Sequence, residues 1–312
     1  LFLLAGIQRI GVSLFGLNAN YRTTERPNNR TPLARRGGML IDLHAHTTAS
    51  DGALSPTALV ELARREGIGV LGVTDHDTVA GLDEALEAGP RLGVEVIPGM
   101  EISCYYHRQE VHLLGYFVRH HVPALLEQLA AWREERVGRM RHMVDRLRRY
   151  GIHLDAERLA ARDAGGSVGR PHVARALVEG GHVATVEEAF DRYLADGKPA
   201  YVPRQRVPVS QAILLVRRAG GVPVLAHPGI YHNDGMVADL VRDGLAGIEV
   251  LHRDHNEAAA ERYRRVAARY NLVCTGGSDF HGLAAATPQR LGQPSLPQAD
   301  LDALRARQRT LA

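Results

Sequence analysis

Short apolar runs ending beside a histidine or a carboxylate recur along most of this 312-residue chain, and they narrow its folding options more than any other feature. Leu40 to Leu43, Val70 to Thr74, Val94 to Ile97, Val111 to Tyr116, Pro223 to Ala226, Gly247 to Val250 and Leu272 to Thr275 have the length and apolar character of buried strands. Amphipathic segments lie between them. Ser55 before Pro56 reads as the N-cap and first-turn proline of a helix over Thr57 to Glu66, which Gly67 stops, and another helix runs from about Glu257 to Tyr270. Strands alternating with helices imply an α/β fold with parallel strands. From Pro123 to Gly197 the alternation fails and only helices are expected, over Pro123 to Tyr150, Val173 to Glu179 and Val186 to Leu194. The expected organisation is a β/α barrel in two parts, residues 39–122 and 201–312, split by a helical insertion at 123–200 that caps the site. Gln298 to Ala312 reads as a closing helix.

The amino terminus is different. Leu1 to Leu17 is apolar but contains Arg9, and the polar stretch Asn18 to Arg36 follows without a small-residue cleavage pattern, so it is a poor signal peptide. Met39 directly precedes the first strand, and residues 1–38 are expected to be disordered or to precede the natural start. No uncharged apolar run reaches the roughly 18 residues that a membrane span needs. Cys104 and Cys274 cannot build a disulfide framework or a thiolate zinc knuckle, which fits a cytoplasmic protein. Lys+Arg total 38 against 35 Asp+Glu, a formal net charge of +3, which argues against binding long duplex nucleic acid through one basic face. Two anomalies remain: Lys198 is the only lysine, and histidine occurs 16 times.

The histidines are concentrated where the strands end. In Ile41-Asp42-Leu43-His44-Ala45-His46-Thr47, strand alternation points His44 and His46 to one face, where they can chelate one ion. Further donors follow in Ser50-Asp51-Gly52, in Thr74-Asp75-His76-Asp77, and in Gly99-Met100-Glu101-Ile102-Ser103, where Glu101 is expected just past a glycine turn. His112, Ala226-His227-Pro228 and Gly277-Ser278-Asp279-Phe280-His281 complete the series. A β/α barrel gathers such positions at its carboxyl mouth. Burying them together carries a large desolvation cost unless cations neutralise them. Imidazole and carboxylate donors suit Mn, Fe or Zn alike. Ions about 3.5–4 Å apart can generate a hydroxide nucleophile and clamp a phosphoryl group for in-line displacement, so no Ser or Cys nucleophile is required. Asp77 and His281 are candidates to protonate the leaving alkoxide.

Two features of the insertion suit an anionic substrate. Gly166-Ser167-Val168-Gly169-Arg170-Pro171-His172 combines a small-residue turn with Arg170 and His172 at a helix start, a ready phosphate cradle. On the preceding helix Arg136 and Arg139 lie three residues apart on one face, although arginines alternating with glutamates commonly form only a solvated surface.

Taken together, the stretch from Leu40 to about Gly282 resembles the PHP family, the polymerase and histidinol phosphatase superfamily of metal-dependent phosphoesterases. The resemblance implies a distorted seven-stranded β/α barrel holding up to three divalent ions, manganese foremost and iron or zinc otherwise. It implies that His44, His46, Glu101 and Asp279 hold the first ion, Asp51, His76 and His281 the second, and that Glu101 bridges to a third held by His112 and His227. Glu101, Asp279 and His281 are the expected catalytic residues. The Gly169-Arg170-Pro171-His172 segment resembles the branch of nucleoside 3',5'-bisphosphate phosphatases and the related 5'-to-3' exoribonuclease. That likeness implies removal of a 3'-phosphate or stepwise hydrolysis of short 5'-phosphorylated RNA, with Arg170, Arg139, Arg136 and His172 around the 5'-phosphate. The rival readings are another PHP phosphatase, such as one for histidinol phosphate, and a noncatalytic module that binds a nucleotide or a polymerase. An amidohydrolase with a bridging carboxylated lysine is a further rival, but Lys198 lies between Gly197 and Pro199 and not at a strand end. No obligate protein partner is expected.

Overall fold

The computed structural model describes residues 39–161, 168–203, 206–282 and 290–311, so the expectation for residues 1–38 and the Gly166-Ser167 part of the small-residue turn lie outside the described residues. One seven-stranded sheet runs in sequence order, β1 (Leu40–Asp42), β2 (Ile68–Val73), β3 (Glu95–Tyr106), β4 (Gln109–Tyr116), β5 (Val222–Leu225), β6 (Gly247–His252) and β7 (Val273–Gly277). Its two edges are joined. The Leu43 N–H donates to the Gly276 carbonyl at 3.2 Å, the His46 N–H to Phe280 at 2.9 Å, and Ala45 pairs in parallel with Phe280. The result is a distorted barrel.

The expectation of parallel strands throughout is corrected at β4. It pairs antiparallel with β3 and β5, while the remaining neighbours are parallel. The reason is local: only His107 and Arg108 separate β3 from β4, and a parallel connection needs a crossover of a dozen or more residues. A second correction concerns Glu101, which lies inside the twelve-residue β3 and not beyond a turn. Gly99 allows close packing there: a Cβ would come within 2.9 Å of the Thr74 side chain and 3.0 Å of the Gly115 carbonyl oxygen.

Helices α1 (Pro56–Glu66) and α2 (Leu82–Leu92) pack on the first half of the sheet, and α7 (Val209–Arg218), α8 (Met236–Arg242), α9 (Glu257–Tyr270) and α10 (Gln298–Leu311) accompany the second. The α1 boundaries match the sequence signals: Ser55 Oγ accepts from the Ala58 N–H at 3.2 Å, and Gly67 ends the helix in the left-handed conformation at φ 80°. The insertion contains α3 (Pro123–Arg148), α4 (Ala156–Ala161), α5 (Arg170–Glu179) and α6 (Val186–Ala189), which runs on as a π-helical turn through Leu194. No helix among the described residues is long and apolar enough to cross a membrane.

Helix α3 belongs to two cores. Its first half buries Leu125, Leu129 and Trp132 with the barrel helices, and its second half buries Met140, Met143, Val144 and Leu147 with Val173 and Leu177 of α5. Arg136 and Arg139 sit at the junction. A third cluster fills the barrel interior with Ile41, Val70, Leu114, Val222 and Val224, against which α10 packs Leu301 and Leu304. Leu177→Ala in the insertion core should lower the unfolding free energy by about 2–5 kcal/mol in urea denaturation. Leu126→Ala on the exposed face of α3 should change it by less than about 0.5 kcal/mol.

Candidate metal centre

The side chains of all nine expected donors converge around Glu101, which is wholly buried. Its Oε2 lies 3.2 Å from His44 Nε2, 3.3 Å from His46 Nε2 and 3.2 Å from His76 Nδ1. Its Oε1 lies 2.9 Å from His112 Nδ1 and 3.0 Å from His227 Nε2. The two oxygens thus face different histidine groups, the geometry a bridging carboxylate needs. His44, His46, Glu101 and Asp279 can place one donor atom each within 4.8 Å of one another, and so can His46, Asp51, His76 and His281, and likewise His76, Glu101 and His112.

Several backbone features hold this arrangement. The segment carrying His44 and His46 leaves β1 in contact with Gly277, where a Cβ would lie 2.4 Å from the His44 nitrogen. Asp42 at the end of β1 accepts hydrogen bonds from the backbone N–H groups of His44, Ser278 and Gly292 and from Ser278 Oγ. Asp75 likewise accepts from Thr47 and Ser50, tying the loop that carries Asp51 to the end of β2. His227 and Asp279 have positive φ angles, 27° and 51°, local strain that the surrounding bonds maintain.

Burial and mutual charge act against each other in this cluster. Burial alone would raise the Glu101 carboxyl, but His76, His112 and His44 hold it well below the ordinary range. Burial pushes the His76 imidazole down to about 3 against the pull of Glu101 and Asp51, leaving it neutral as a ligand must be. For His281 burial acts downward too, but the hydrogen bond and charge of Asp51, with Asp279, hold it up at about 9. The buried Nδ1 atoms of His46 and His76 make no hydrogen bond among the described residues, although carboxylate oxygens lie 3.9 and 3.2 Å away. Buried imidazole nitrogens left without a hydrogen bond beside carboxylates are groups that a divalent cation can satisfy.

A second layer escapes sequence reasoning. Glu249, wholly buried on β6, accepts from His44 Nδ1–H at 3.0 Å and from the His227 N–H at 2.8 Å. The first bond orients the His44 ring so that its Nε2 faces Glu101 and Asp279. Tyr231 Oη accepts from the His112 N–H and lies 3.0 Å from His227 Nδ1, and His252 Nε2 stands 3.5 Å from Asp279 Oδ2. A signal existed: in Gly-Ile-Glu-Val-Leu-His, a lone acid interrupts an apolar strand that ends in histidine.

The insertion residues meet the centre along one cavity of about 140 Å³, lined by Asp51, His76 and His112 on one side and by Arg136, Arg139, Arg170 and His172 on the other. Two of the expected residues are already engaged with each other there. The buried Arg136 guanidinium is ion-paired with Asp77, so it is engaged by the protein before any substrate arrives. Asp77, offered as a leaving-group acid, also accepts from the N–H and Oγ of Ser103, and an ion-paired carboxylate so placed is an acceptor, not a proton donor. His172 accepts from the Gly169 N–H at Nδ1, which makes Nε2 the donor to the Ser50 carbonyl at 3.2 Å. It fastens α5 to the loop that carries Asp51. Arg139 donates through Nε to the Val202 carbonyl at 2.7 Å. Arg170 lies over Phe190 and Tyr201, its guanidinium carbon 5.8 and 5.9 Å from the ring centroids, with Glu110 3.9 Å away. A larger hollow, about 410 Å³, opens within the insertion beside His153 and Arg158, but none of the nine donors lines it, and the chemistry lies in the smaller cavity. Because Glu249 orients two donors, Glu249→Gln should weaken divalent-ion affinity by roughly 10–100-fold in direct metal titration.

The PHP domain family model matches residues 42–195. The 5'-3' exoribonuclease Rnm of Escherichia coli is 38% identical over 253 residues, covering 78% of this chain and 85% of that protein. The phosphoribosyl 1,2-cyclic phosphate 1,2-diphosphodiesterase of Eggerthella lenta is 38% identical, covering 80% and 97%. The 3',5'-nucleoside bisphosphate phosphatase of Chromobacterium violaceum is 35% identical, covering 77% and 87%. Among solved structures, a metal-dependent phosphoesterase from Bifidobacterium adolescentis superposes with a TM-score of 0.79 at 32% identity, over 87% of this chain and 97% of that one. With this barrel and these convergent donors, the chain belongs to the PHP family of metal-dependent phosphoesterases.

Proposed function

We propose that the chain removes the 3'-phosphate of nucleoside 3',5'-bisphosphates and hydrolyses short 5'-phosphorylated RNA stepwise from its 5' end. The observation that carries this reading is the shared cavity, where Asp51, His76 and His112 face Arg139 and Arg170 of the insertion. A substrate with two phosphates can set one against the donor cluster and the other against the guanidinium groups. The names of the Escherichia coli and Chromobacterium violaceum relatives support that substrate class.

In this reading His44, His46, Glu101 and Asp279 hold one divalent ion, Asp51, His76 and His281 a second, and Glu101, His112 and His227 a third, with manganese the leading choice. Bound there, such ions supply Lewis acidity toward the phosphoryl oxygens and a hydroxide nucleophile near neutral pH. The protein's own part is placement. Glu101, Asp279 and His281 act as donors on the reacting face, Glu249 orients the His44 ring, and His172 holds α5 against the Asp51 loop. Arg170, braced by Phe190 and Tyr201, presents its guanidinium to the 5'-phosphate, with Arg139 beside it, while Arg136 balances the buried Asp77. The insertion at 123–200 thus acts as a substrate cap. Cys104 and Cys274, which form no disulfide among the described residues, fit a cytoplasmic setting.

Arg170→Ala should raise KM for a 3',5'-bisphosphate by roughly 10–100-fold, the loss of a charge-assisted phosphate contact, with metal content unchanged; an unaltered KM would remove Arg170 from the substrate site. Glu101→Gln should abolish turnover and lower metal content, both read on one preparation, and full activity would undo the bridging role. Phosphate release should be compared for a nucleoside 3',5'-bisphosphate, histidinol phosphate and a short 5'-phosphorylated RNA. Turnover of histidinol phosphate alone would overturn the substrate assignment.

A further inference from the structure

The catalytic centre leaves the consecutive pair His120-His121 unexplained. Both lie in the turn between β4 and α3, and both face Asp83 in the first turn of α2. His120 Nε2 is 2.9 Å and His121 Nε2 3.0 Å from the same oxygen, Asp83 Oδ1, and the two rings are 4.1 Å apart. All three donor atoms lie within 4.8 Å of one another. We propose that Asp83, His120 and His121 form a separate site for a divalent ion of the zinc, nickel or copper class.

The backbone fixes the geometry on both sides. The Arg119 N–H donates to the Ala219 carbonyl at 2.8 Å, and the Val122 N–H closes the turn onto the Arg119 carbonyl at 3.1 Å, so His120 and His121 project from an anchored turn. Asp83 is held by the first turn of α2, where the neighbouring Leu82 is buried. The hydrogen bond from His120 keeps the Asp83 carboxyl below its usual range, so it is ionised at neutral pH. Two imidazoles and one carboxylate make half or more of a coordination shell. The Asp83 and His121 side chains are 70% and 71% exposed, which leaves the outer positions to water. The donor set also sorts the ions: imidazole nitrogen suits zinc, nickel and copper, whereas magnesium and calcium prefer oxygen. None of the three residues lines the catalytic cavity or belongs to its donor groups, so the inference stands independently of the substrate reading. A bound ion would tie α2 to the start of α3, the helix that carries Arg136 and Arg139.

The test uses the full chain, saturated with manganese and then equilibrated with zinc, with bound zinc counted by elemental analysis after free metal is removed. Any exchange at the catalytic centre affects wild type and variants alike. The His120→Ala/His121→Ala double variant should therefore bind one zinc fewer per chain, and Asp83→Asn should lose the same zinc at lower concentrations of a competing chelator than wild type. Zinc should raise the thermal unfolding midpoint of the wild type and raise that of the double variant less. Hydrolysis supported by manganese should be equal in all three proteins. Equal zinc content in wild type and double variant would overturn the proposal, as would a loss of manganese-supported hydrolysis, which would make the cluster part of the catalytic centre.

Discussion

Glu101 is a wholly buried carboxylate with a histidine nitrogen within 3.3 Å on five sides, and the rest of the molecule is arranged around keeping it there. A lone carboxylate in such a place would be protonated, because burial penalises its charge. Here the surrounding imidazoles reverse that outcome and hold it ionised. The same crowding leaves imidazole nitrogens short of partners, and cations resolve both problems together. The barrel supplies the convergence: histidines from β4 and the segments after β1, β2 and β5 reach one carboxylate on β3 because neighbouring strands run side by side.

The antiparallel β4 matters to that convergence. A parallel fourth strand would follow a long crossover, whereas the tight β3–β4 hairpin sets His112 directly opposite Ser103, two residues from Glu101. The third donor group therefore depends on a two-residue turn. Around the donors, buried acids have a different task. Asp42, Asp75 and Glu249 spend their charge on backbone N–H groups, hydroxyls and one imidazole, fixing the positions of donors without being donors of the main cluster themselves.

The insertion brings arginines to the cavity that the donor cluster lines. Helix α3 reaches from the barrel core into the insertion core, so its middle passes the cavity between two packed regions. Arg136 is held there by a barrel residue, Asp77, while Arg139 is held by the Val202 carbonyl just past the insertion and Arg170 lies near Glu110 of β4. The insertion and the donor cluster are also linked through His172 and Arg175, which donate to the carbonyls of Ser50 and Asp51.

All seven strands and the nine clustered side chains were legible in the sequence, because apolar runs and the residues ending them are local patterns. The α1 caps were legible for the same reason. Strand direction at β4, the interior position of Glu101 and the engagement of Arg136 by Asp77 were not, since each depends on what lies across the barrel and not on what lies next in the chain. Glu249 was visible as an acid in an apolar strand, yet its role required seeing His44, 205 residues away, against it. The sequence by itself therefore determined the donor chemistry and the β/α framework, through residue type and periodicity. Only the tertiary structure decided which donors share an oxygen, which acids orient them and which arginine is ion-paired within the protein, because those outcomes are set by distances between segments remote in the chain.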